Sequence, residues 1–409
     1  MLLTKNCAMN YNDLYSKVVS RSKASAIREL LKVIAQPDII SFAGGLPAPE
    51  LFPSQEIAEI LQDVMKNTPK EALQYGTTEG QKALKAELVK LLKDVENISV
   101  EPEQILVVSA SQQALDMSAR MFVNPGDAVV TASPTYLGAL QAFQVAGADI
   151  IGAASDANGI LPQDLERKLA ALKAQGRPCK FIYLVPDFQN PTGTTIPQER
   201  RVQILELAKK YNTFILEDSP YRQVRFEGEA PRTFFELDNH QGNVMTMFTF
   251  SKVFVPGFRL GFLVGPKEVI AKYVILKQAM DLCTSPFLQV VTAEYLRRGY
   301  LRAHIKDLVS CYREKLACML EMLSKYMPKG VTWTKPEGGL FLWLTLPKHI
   351  DATLLLCKAI ENKVAFVAGV DFYPHLDVHN DLRLNFSYSS KAQIEEGLKR
   401  LAQTIKENM

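Results

Sequence analysis

The sequence predicts an α/β fold in which helices cover both faces of a mostly parallel β-sheet. From about residue 55 to 290, short apolar runs alternate with amphipathic stretches. The runs are apolar throughout, which is typical of strands buried on both faces. Beyond residue 290 the pattern changes to long helices and a hairpin-like segment. We therefore expect a second, smaller α+β domain after the main sheet.

The first two thirds of the chain contain an arm, a loop and the region in which predicted strands alternate with predicted helices. Residues 1–35 form the arm, with a short helix expected around "SAIRELLKVIA", and 41–53 form a loop rich in Gly and Pro. The helix over 198–211 is the clearest, because Val202, Leu205 and Ala208 fall on one stripe. The strand candidates lie at 105–109, 128–132, 180–186, 213–218, 245–251 and 261–265.

The last third begins with a long helix, expected over about 287–327. A hairpin within "VTWTKPEGGLFLWLTLP" follows, then the helix "ATLLLCKAIENK", the strand "LRLNFS" and a C-terminal helix. We predict an N-terminal arm over 1–54, a large domain over 55–290 and a small domain over 291–409. The arm is expected to pack with the small domain.

Composition excludes several classes of protein. The net charge is +3, without a basic block or an acidic tail, so nothing favours nucleic acid as a partner. No two of the six cysteines form a C-x-x-C pair, and His375 and His379 lack a further clustered ligand, so no metal site is expected. No apolar run reaches the roughly 18 residues of a membrane span, and the N-terminal apolar stretch is too short for a signal peptide. The expected location is the cytoplasm.

Candidate functional residues follow the predicted strands. Ligands of open α/β sheets bind beyond the carboxyl ends of the strands. A serine hydroxyl at the start of a helix suits a phosphate, and a lysine amine in a desolvated, cation-rich site can form a Schiff base. A carboxylate directly after apolar strand residues is costly to bury unless a cation pairs with it. The residues found at these five strand ends are Ser111 with Gln112, Tyr136, Asn190, Asp218, and Ser251 with Lys252.

Each residue taken alone also has an ordinary structural interpretation. Ser111 could be an N-cap, Tyr136 a packing residue and Asn190 a turn residue before Pro191. The combination at five strand ends favours a site. The sequence contains neither G-x-G-x-x-G nor G-x-x-x-x-G-K-[ST], so a dinucleotide site and a P-loop lose their main support.

Nine motifs together resemble one family over residues 25 to 400. They are "SFAGGLPAPELFP", "LQYGTTEG", "SASQQALD", "NPGDAVVTASPTY", "VPDFQNPTG", "EDSPY", "SKVFVPGFRLG", "PEGGLFLW" and "LRLNFS". The chain resembles the class I aminotransferases, which are pyridoxal-phosphate enzymes of fold type I. It is most similar to the subgroup of 2-aminoadipate, kynurenine and broad-range aromatic aminotransferases. The resemblance implies a large domain with a mostly parallel seven-stranded sheet.

The resemblance also implies roles for residues around the cofactor. Lys252 would hold pyridoxal 5'-phosphate as an imine and later move a proton, while Asp218 would keep the pyridine nitrogen protonated. Asn190 and Tyr221 would hydrogen-bond the phenolic oxygen, and Tyr136 would stack on the ring. The phosphate would be held by Ser111, Gln112, Ser251 and Arg259.

Further residues are implied for the substrate and for assembly. Arg383 would clamp the α-carboxylate, with Asn190 beside it, and Gly45 would approach the substrate backbone. Without the other motifs Arg383 would more often be a surface ion pair. Tyr75 would reach the phosphate of the neighbouring subunit, which implies a homodimer with shared active sites. Arg28 is a candidate partner for a distal carboxylate.

The expected function is amino transfer from an L-amino acid to a 2-oxo acid by a ping-pong mechanism. The donor would be aromatic, branched-chain or 2-aminoadipate-like, and the acceptor 2-oxoglutarate. A lyase or decarboxylase using the same cofactor is the alternative, because fold and cofactor do not choose between these reactions. A regulatory module with an aminotransferase-like domain would need a helix-turn-helix, for which the segment before "SFAGG" leaves no room.

Overall fold

The structure is a computed structural model that describes residues 9–21, 38–375 and 377–409. The helix expected around "SAIRELLKVIA" and the candidate Arg28 lie outside these residues.

The strands belong to a large sheet, a small sheet and a separate two-stranded pair. In chain order they are β1 (Ile40–Ser41), β2 (Ile105–Val108), β3 (Ala128–Ser133), β4 (Asp149–Asp156), β5 (Gly159–Ile160), β6 (Phe181–Leu184), β7 (Phe214–Asp218), β8 (Val244–Thr249), β9 (Gly261–Val264), β10 (Thr332–Trp333), β11 (Phe341–Thr345), β12 (Val364–Ala365), β13 (Val367–Ala368) and β14 (Asp381–Asn385).

From β2 to β9, helices alternate with most of the strands of the large sheet, and the longest helix, Tyr300–Tyr326, follows that sheet. They are α1 (Lys17–Arg21), α2 (Ser54–Asn67), α3 (Pro69–Leu73), α4 (Lys82–Glu96), α5 (Ala110–Phe122), α6 (Leu137–Ala146), α7 (Pro162–Ala174), α8 (Gln198–Lys210), α9 (Phe234–Asp238), α10 (Lys267–Met280), α11 (Pro286–Arg297), α12 (Tyr300–Tyr326), α13 (Ala352–Glu361) and α14 (Lys391–Lys406). In the described part of the chain, no helix is both long and apolar enough to span a membrane.

The large sheet has the strand order β2-β9-β8-β7-β6-β3-β4-β5. Strands β8, β7, β6, β3 and β4 pair in parallel, whereas β9 is antiparallel to both of its neighbours. Seven of these strands have four to eight residues, and the two-residue β5 extends the edge. The predicted mostly parallel α/β sheet is confirmed.

The predicted C-terminal elements form an antiparallel sheet with the order β10-β11-β14-β13. Strand β11 pairs with β10 as the expected hairpin, and with β14 in a register that places Trp343 opposite Arg383. Strand β1 pairs with β12, so the segment beginning at Ile40 is tied to this part of the molecule.

Two helix predictions were wrong in detail. The buried face of α8 contains Arg201, Ile204, Leu205 and Ala208, whereas Val202 is 44% exposed. The pattern was shifted because a fully buried arginine, paired with Asp187, occupies part of the apolar stripe.

The helix expected over 287–327 is two helices. Gly299 separates α11 from α12 and has a φ of 75°, a left-handed conformation that favours glycine.

Strand β4 was not among the strand candidates, because its apolar core is only Ile150 and Ile151 between small and polar residues.

Candidate active site

The five predicted strand ends meet at one edge of the large sheet. Strands β3, β6, β7 and β8 are parallel, so their carboxyl ends lie together. Strand β2 runs in the same direction, because β9 is antiparallel to both β2 and β8. The segments beginning after Val108, Ser133, Leu184, Asp218 and Thr249 therefore line the same rim.

Asp218 is the last residue of β7 and is buried. Its Oδ2 accepts a hydrogen bond of 2.9 Å from the hydroxyl of Tyr183, and Oδ1 has no hydrogen-bond partner among the described residues. Burial raises the pKa of Asp218 to about 7, although the hydroxyls of Tyr183 and Ser111 lower it. The cation expected beside Asp218 is not supplied by the described part of the chain, where no lysine or arginine forms an ion pair with it. One buried carboxylate oxygen is therefore available to a ligand.

Lys252 follows β8, and its Nζ donates a hydrogen bond of 2.7 Å to the backbone carbonyl oxygen of Gly45. Burial, and then the positive charges of Arg383 and Arg259, lower the pKa of Lys252 to about 8. A large fraction of the amine is consequently neutral near pH 8, the form in which it is nucleophilic and can accept a proton. A Cβ at Gly45 would lie 3.2 Å from the ring of Phe341, so the loop and the lysine are closely packed here.

Arg383 lies on β14 and is buried. Its Nη1 donates to Oδ1 of Asn190 at 2.8 Å, its Nη2 donates to the carbonyl oxygen of Ala43 at 2.6 Å, and Nε has no partner among the described residues. The guanidinium carbon lies 4.2 Å from the ring centre of Phe341 and 5.2 Å from that of Phe372. Burial lowers its pKa to about 10, so the group is still charged at neutral pH. This is a rigid cation with hydrogen-bond donors to spare, which suits a carboxylate.

The start of α5 forms a site suited to an anion. The hydroxyl of Ser111 is buried and has no hydrogen-bond partner of normal geometry among the described residues. Arg259 donates from Nη1 to Oγ of Ser251 at 3.2 Å, which joins the cation to the segment that carries Lys252. Free N–H groups at a helix N-terminus, hydroxyls and an arginine are the donors that proteins use for phosphate.

Tyr136 and Tyr221 supply the aromatic part of the site. Tyr136 immediately precedes α6, and a Cβ at Gly138 would lie 2.6 Å from its ring, so a larger residue there would displace the tyrosine. Gln112 donates from Nε2 to the carbonyl oxygen of Gly138 at 3.1 Å. Tyr221 is buried, and Nδ2 of Asn190 lies 3.5 Å from its hydroxyl.

Tyr75 differs from the other predicted site residues in its exposure to solvent. It lies in the loop after α3 and is 80% exposed in the single chain. Among the described residues no group of three or more His, Cys, Asp or Glu side chains could hold a metal ion.

Sequence reasoning missed a buried ion cluster beneath the loop that carries Asn190. Asp187 accepts from Arg201 at 2.8 Å and from Arg222 and Arg225 at 3.4 Å each. Burial would raise the pKa of Asp187, but the guanidinium groups dominate and hold it below its ordinary value. The cluster anchors the loop at the end of β6. In the sequence, the cluster is visible only as three arginines that follow one aspartate. Their spacing along the chain does not show that the side chains are in contact.

Comparisons with known proteins agree with this geometry. Residues 38–401 match the family described as aminotransferase class I and II. Aromatic-amino-acid aminotransferase 1 of Thermococcus litoralis is 44% identical over 98% of this chain and 96% of its own. A kynurenine aminotransferase of Pyrococcus horikoshii, solved in complex with PMP, is 46% identical with a TM-score of 0.94, over 98% of each chain. LysN of Thermus thermophilus, an α-aminoadipate aminotransferase complexed with N-(5'-phosphopyridoxyl)-L-leucine, is 35% identical with a TM-score of 0.88, over 98% of this chain and 99% of that one.

The chain belongs to the family of class I and II aminotransferases. The resemblance inferred from the motifs, the fold type, the enzyme class and the dependence on pyridoxal phosphate are confirmed.

Proposed function

We propose that this aminotransferase moves the amino group of an aromatic L-amino acid to a 2-oxo acid, with 2-oxoglutarate as the acceptor. One observation carries the proposal: three functional groups meet at one rim. They are the Lys252 amine, whose pKa is lowered, the buried Asp218 carboxylate, which has one oxygen without a partner among the described residues, and the buried Arg383. The preference for an aromatic donor is supported by the relatives from Thermococcus and Pyrococcus.

The residues present fit pyridoxal 5'-phosphate. Among the described residues, neither Oδ1 of Asp218 nor the hydroxyl of Ser111 has a hydrogen-bond partner. The first is suited to a protonated ring nitrogen and the second to a phosphate oxygen. Gln112, Ser251 and Arg259 would complete the phosphate site. When bound, the cofactor supplies an electron-accepting ring that stabilises negative charge on the substrate Cα.

The side chains of the protein then have separate tasks. Nζ of Lys252 would hold the cofactor covalently, and would later accept the proton from the substrate Cα and deliver it to C4′ of the cofactor. Asn190 and Tyr221 would donate hydrogen bonds to the phenolic oxygen of the ring, while Tyr136 would pack on the face of the ring. Asp218 would keep a proton on the ring nitrogen throughout.

The substrate carboxylate would bind Arg383, whose Nε has no hydrogen-bond partner within the described ranges of the chain and which has further N–H groups for a two-pronged contact. Asn190 already bonds this arginine and would lie beside the carboxylate. Gly45, whose carbonyl oxygen accepts from Lys252, would let the substrate backbone pass close to the loop.

The test is a panel of amino donors with purified holoenzyme. L-tyrosine, L-phenylalanine, L-kynurenine, L-leucine and L-2-aminoadipate would each be offered with 2-oxoglutarate, and glutamate would be measured. We expect the highest kcat/KM with the aromatic donors. Release of pyruvate and ammonia without any 2-oxo acid would favour the lyase instead, and absence of glutamate with every donor would refute the proposal.

We further propose a homodimer in which Tyr75 of the partner subunit completes the phosphate site. An aromatic side chain that is 80% exposed, on a loop after α3, supports this arrangement. Mixing a Tyr75→Ala subunit with a Lys252→Ala subunit should restore part of the activity, because hybrid dimers would contain one site with both residues intact. Each variant incubated with itself is the control. No gain on mixing, with subunit exchange verified by mass, would contradict the shared site.

We keep the division into an arm (1–54), a large domain (55–290) and a small domain (291–409), and the cytoplasmic location, as proposals. Residue 290 falls inside α11, and the helix break at Gly299 supports a boundary several residues later.

A further inference from the structure

Tyr183 and Asp218 form a buried pair on neighbouring strands. In the parallel register of β6 and β7, Tyr183 lies opposite Leu216, and Asp218 is two residues further on the same face. The Tyr183 hydroxyl donates to Oδ2 of Asp218 at 2.9 Å, and both side chains are excluded from solvent. The ring of Tyr183 is held edge-on by Phe143, with 5.4 Å between ring centres. The direction of this hydroxyl is therefore fixed by packing and by the strand register.

We propose that Tyr183 is a positioning residue, whose hydroxyl holds Oδ2 of Asp218, favours the ionised carboxylate and leaves Oδ1 for the protonated ring nitrogen of the cofactor. The inference rests on the role of Asp218 in the proposed function. It extends that function by naming the group that keeps this carboxylate charged and oriented.

The physical argument is a competition between burial and hydrogen bonding. Burial favours the neutral acid and raises the pKa of Asp218 to about 7, while a donor to the carboxylate opposes this shift. The pKa of Tyr183 is raised by burial, so the phenol stays protonated and is a constant donor. Without it, Asp218 would bind a proton of its own over a wider pH range and could not pair with a ring cation.

Other titratable groups around the pair come from several elements. These groups remain in place when only the Tyr183 hydroxyl is removed. Their effect on the pKa of Asp218 is therefore the same in the wild type and in Tyr183→Phe. They are the phenols of Tyr136 and Tyr221, before α6 and after β7. The cations Arg383 and Arg259 of the same site act on Lys252.

The test is the affinity of the apoprotein for pyridoxamine 5'-phosphate at several pH values, in the wild type and in Tyr183→Phe. This probe has an amine in place of the aldehyde, so its affinity does not include a covalent bond to Lys252. If the hydroxyl lowers the pKa of Asp218 by about one unit, the variant should bind about tenfold more weakly at pH 6. At pH 9 the carboxylate is ionised in both proteins, and the two affinities should converge.

Tyr273→Phe is the matched control. Tyr273 is likewise fully buried, and its hydroxyl pairs with Oγ of Ser118 at 2.7 Å, away from Asp218. We expect this variant to bind pyridoxamine phosphate like the wild type at both pH values. The control separates the loss of any buried hydroxyl from the loss of the one on Asp218.

The outcomes distinguish the inference from the proposed function. A wild type that does not bind pyridoxamine phosphate would refute the proposed function. A wild type that binds, with a Tyr183→Phe affinity ratio that is the same at pH 6 and pH 9, would overturn the role of Tyr183 alone. If Tyr183→Phe does not fold, the double variant Asp218→Asn/Tyr183→Phe decides. The double variant should be as stable as Asp218→Asn, because an amide does not titrate. A double variant that is as unstable as Tyr183→Phe alone would overturn the proposal.

Discussion

Replacing Lys252 by alanine should lower the rate of amino transfer by at least about four orders of magnitude, because one amine both holds the cofactor and moves the substrate proton. The structure supports both tasks, since Nζ lies 2.7 Å from the Gly45 carbonyl oxygen and burial brings its pKa to about 8. After borohydride reduction of the wild type, the peptide containing Lys252 should carry the mass of a pyridoxyl phosphate group. In Lys252→Ala no peptide should carry it.

Lys85→Ala is the appropriate comparison. Lys85 is also buried, and burial lowers its pKa, but it belongs to α4. The variant should retain its labelled peptide and activity near that of the wild type. Turnover by Lys252→Ala within tenfold of the wild type, or a label on another lysine of the wild type, would refute the assignment.

Replacing Arg383 by alanine should reduce kcat/KM for the amino donor about a hundredfold to a thousandfold while the cofactor remains bound. Removing one partner of a buried, hydrogen-bonded charge pair costs about 2–5 kcal/mol. The loss is expected in substrate binding, because the guanidinium contacts Asn190 and Ala43 near the lysine. Steady-state kinetics and the visible absorbance of the bound cofactor measure the two effects separately.

Two comparisons show whether the carboxylate is the group recognised. Arg383→Lys keeps the charge but loses the planar fork, so its kcat/KM should lie between those of the wild type and the alanine variant. The wild type should discriminate strongly against tyramine relative to L-tyrosine, and Arg383→Ala should largely lose this discrimination. An alanine variant that still prefers tyrosine as strongly as the wild type would place the carboxylate elsewhere.

The strand ends explain why the sequence was informative about the site. Asp218 and Lys252 each follow a strongly apolar run, and a parallel sheet brings such ends to one rim whatever lies between them in the chain. The class of fold followed from the same runs. Strand β4, with only Ile150 and Ile151 as its apolar core, gave too weak a signal to be included.

Contacts between distant side chains could not be obtained in this way. Arg201 is buried in the apolar stripe of α8 because Asp187 receives it, and hydropathy alone assigns that position to the surface. The cation that the position of Asp218 indicated does not come from the described part of the chain, for a related reason. Tyr183 satisfies one oxygen with a neutral hydroxyl, and strand register rather than composition determines that contact.

The two hydrogen bonds of Arg383 also bear on when during biosynthesis the enzyme can recognise an amino acid. They reach across 193 and 340 positions of the chain, to Asn190 and Ala43. Pairing of such remote segments comes late, since the entropy of closing large loops must be met first. A growing polypeptide that has already produced Lys252 and Asp218 still lacks its carboxylate anchor until β14 leaves the ribosome. Substrate recognition is thus reserved for a chain whose synthesis has passed β14.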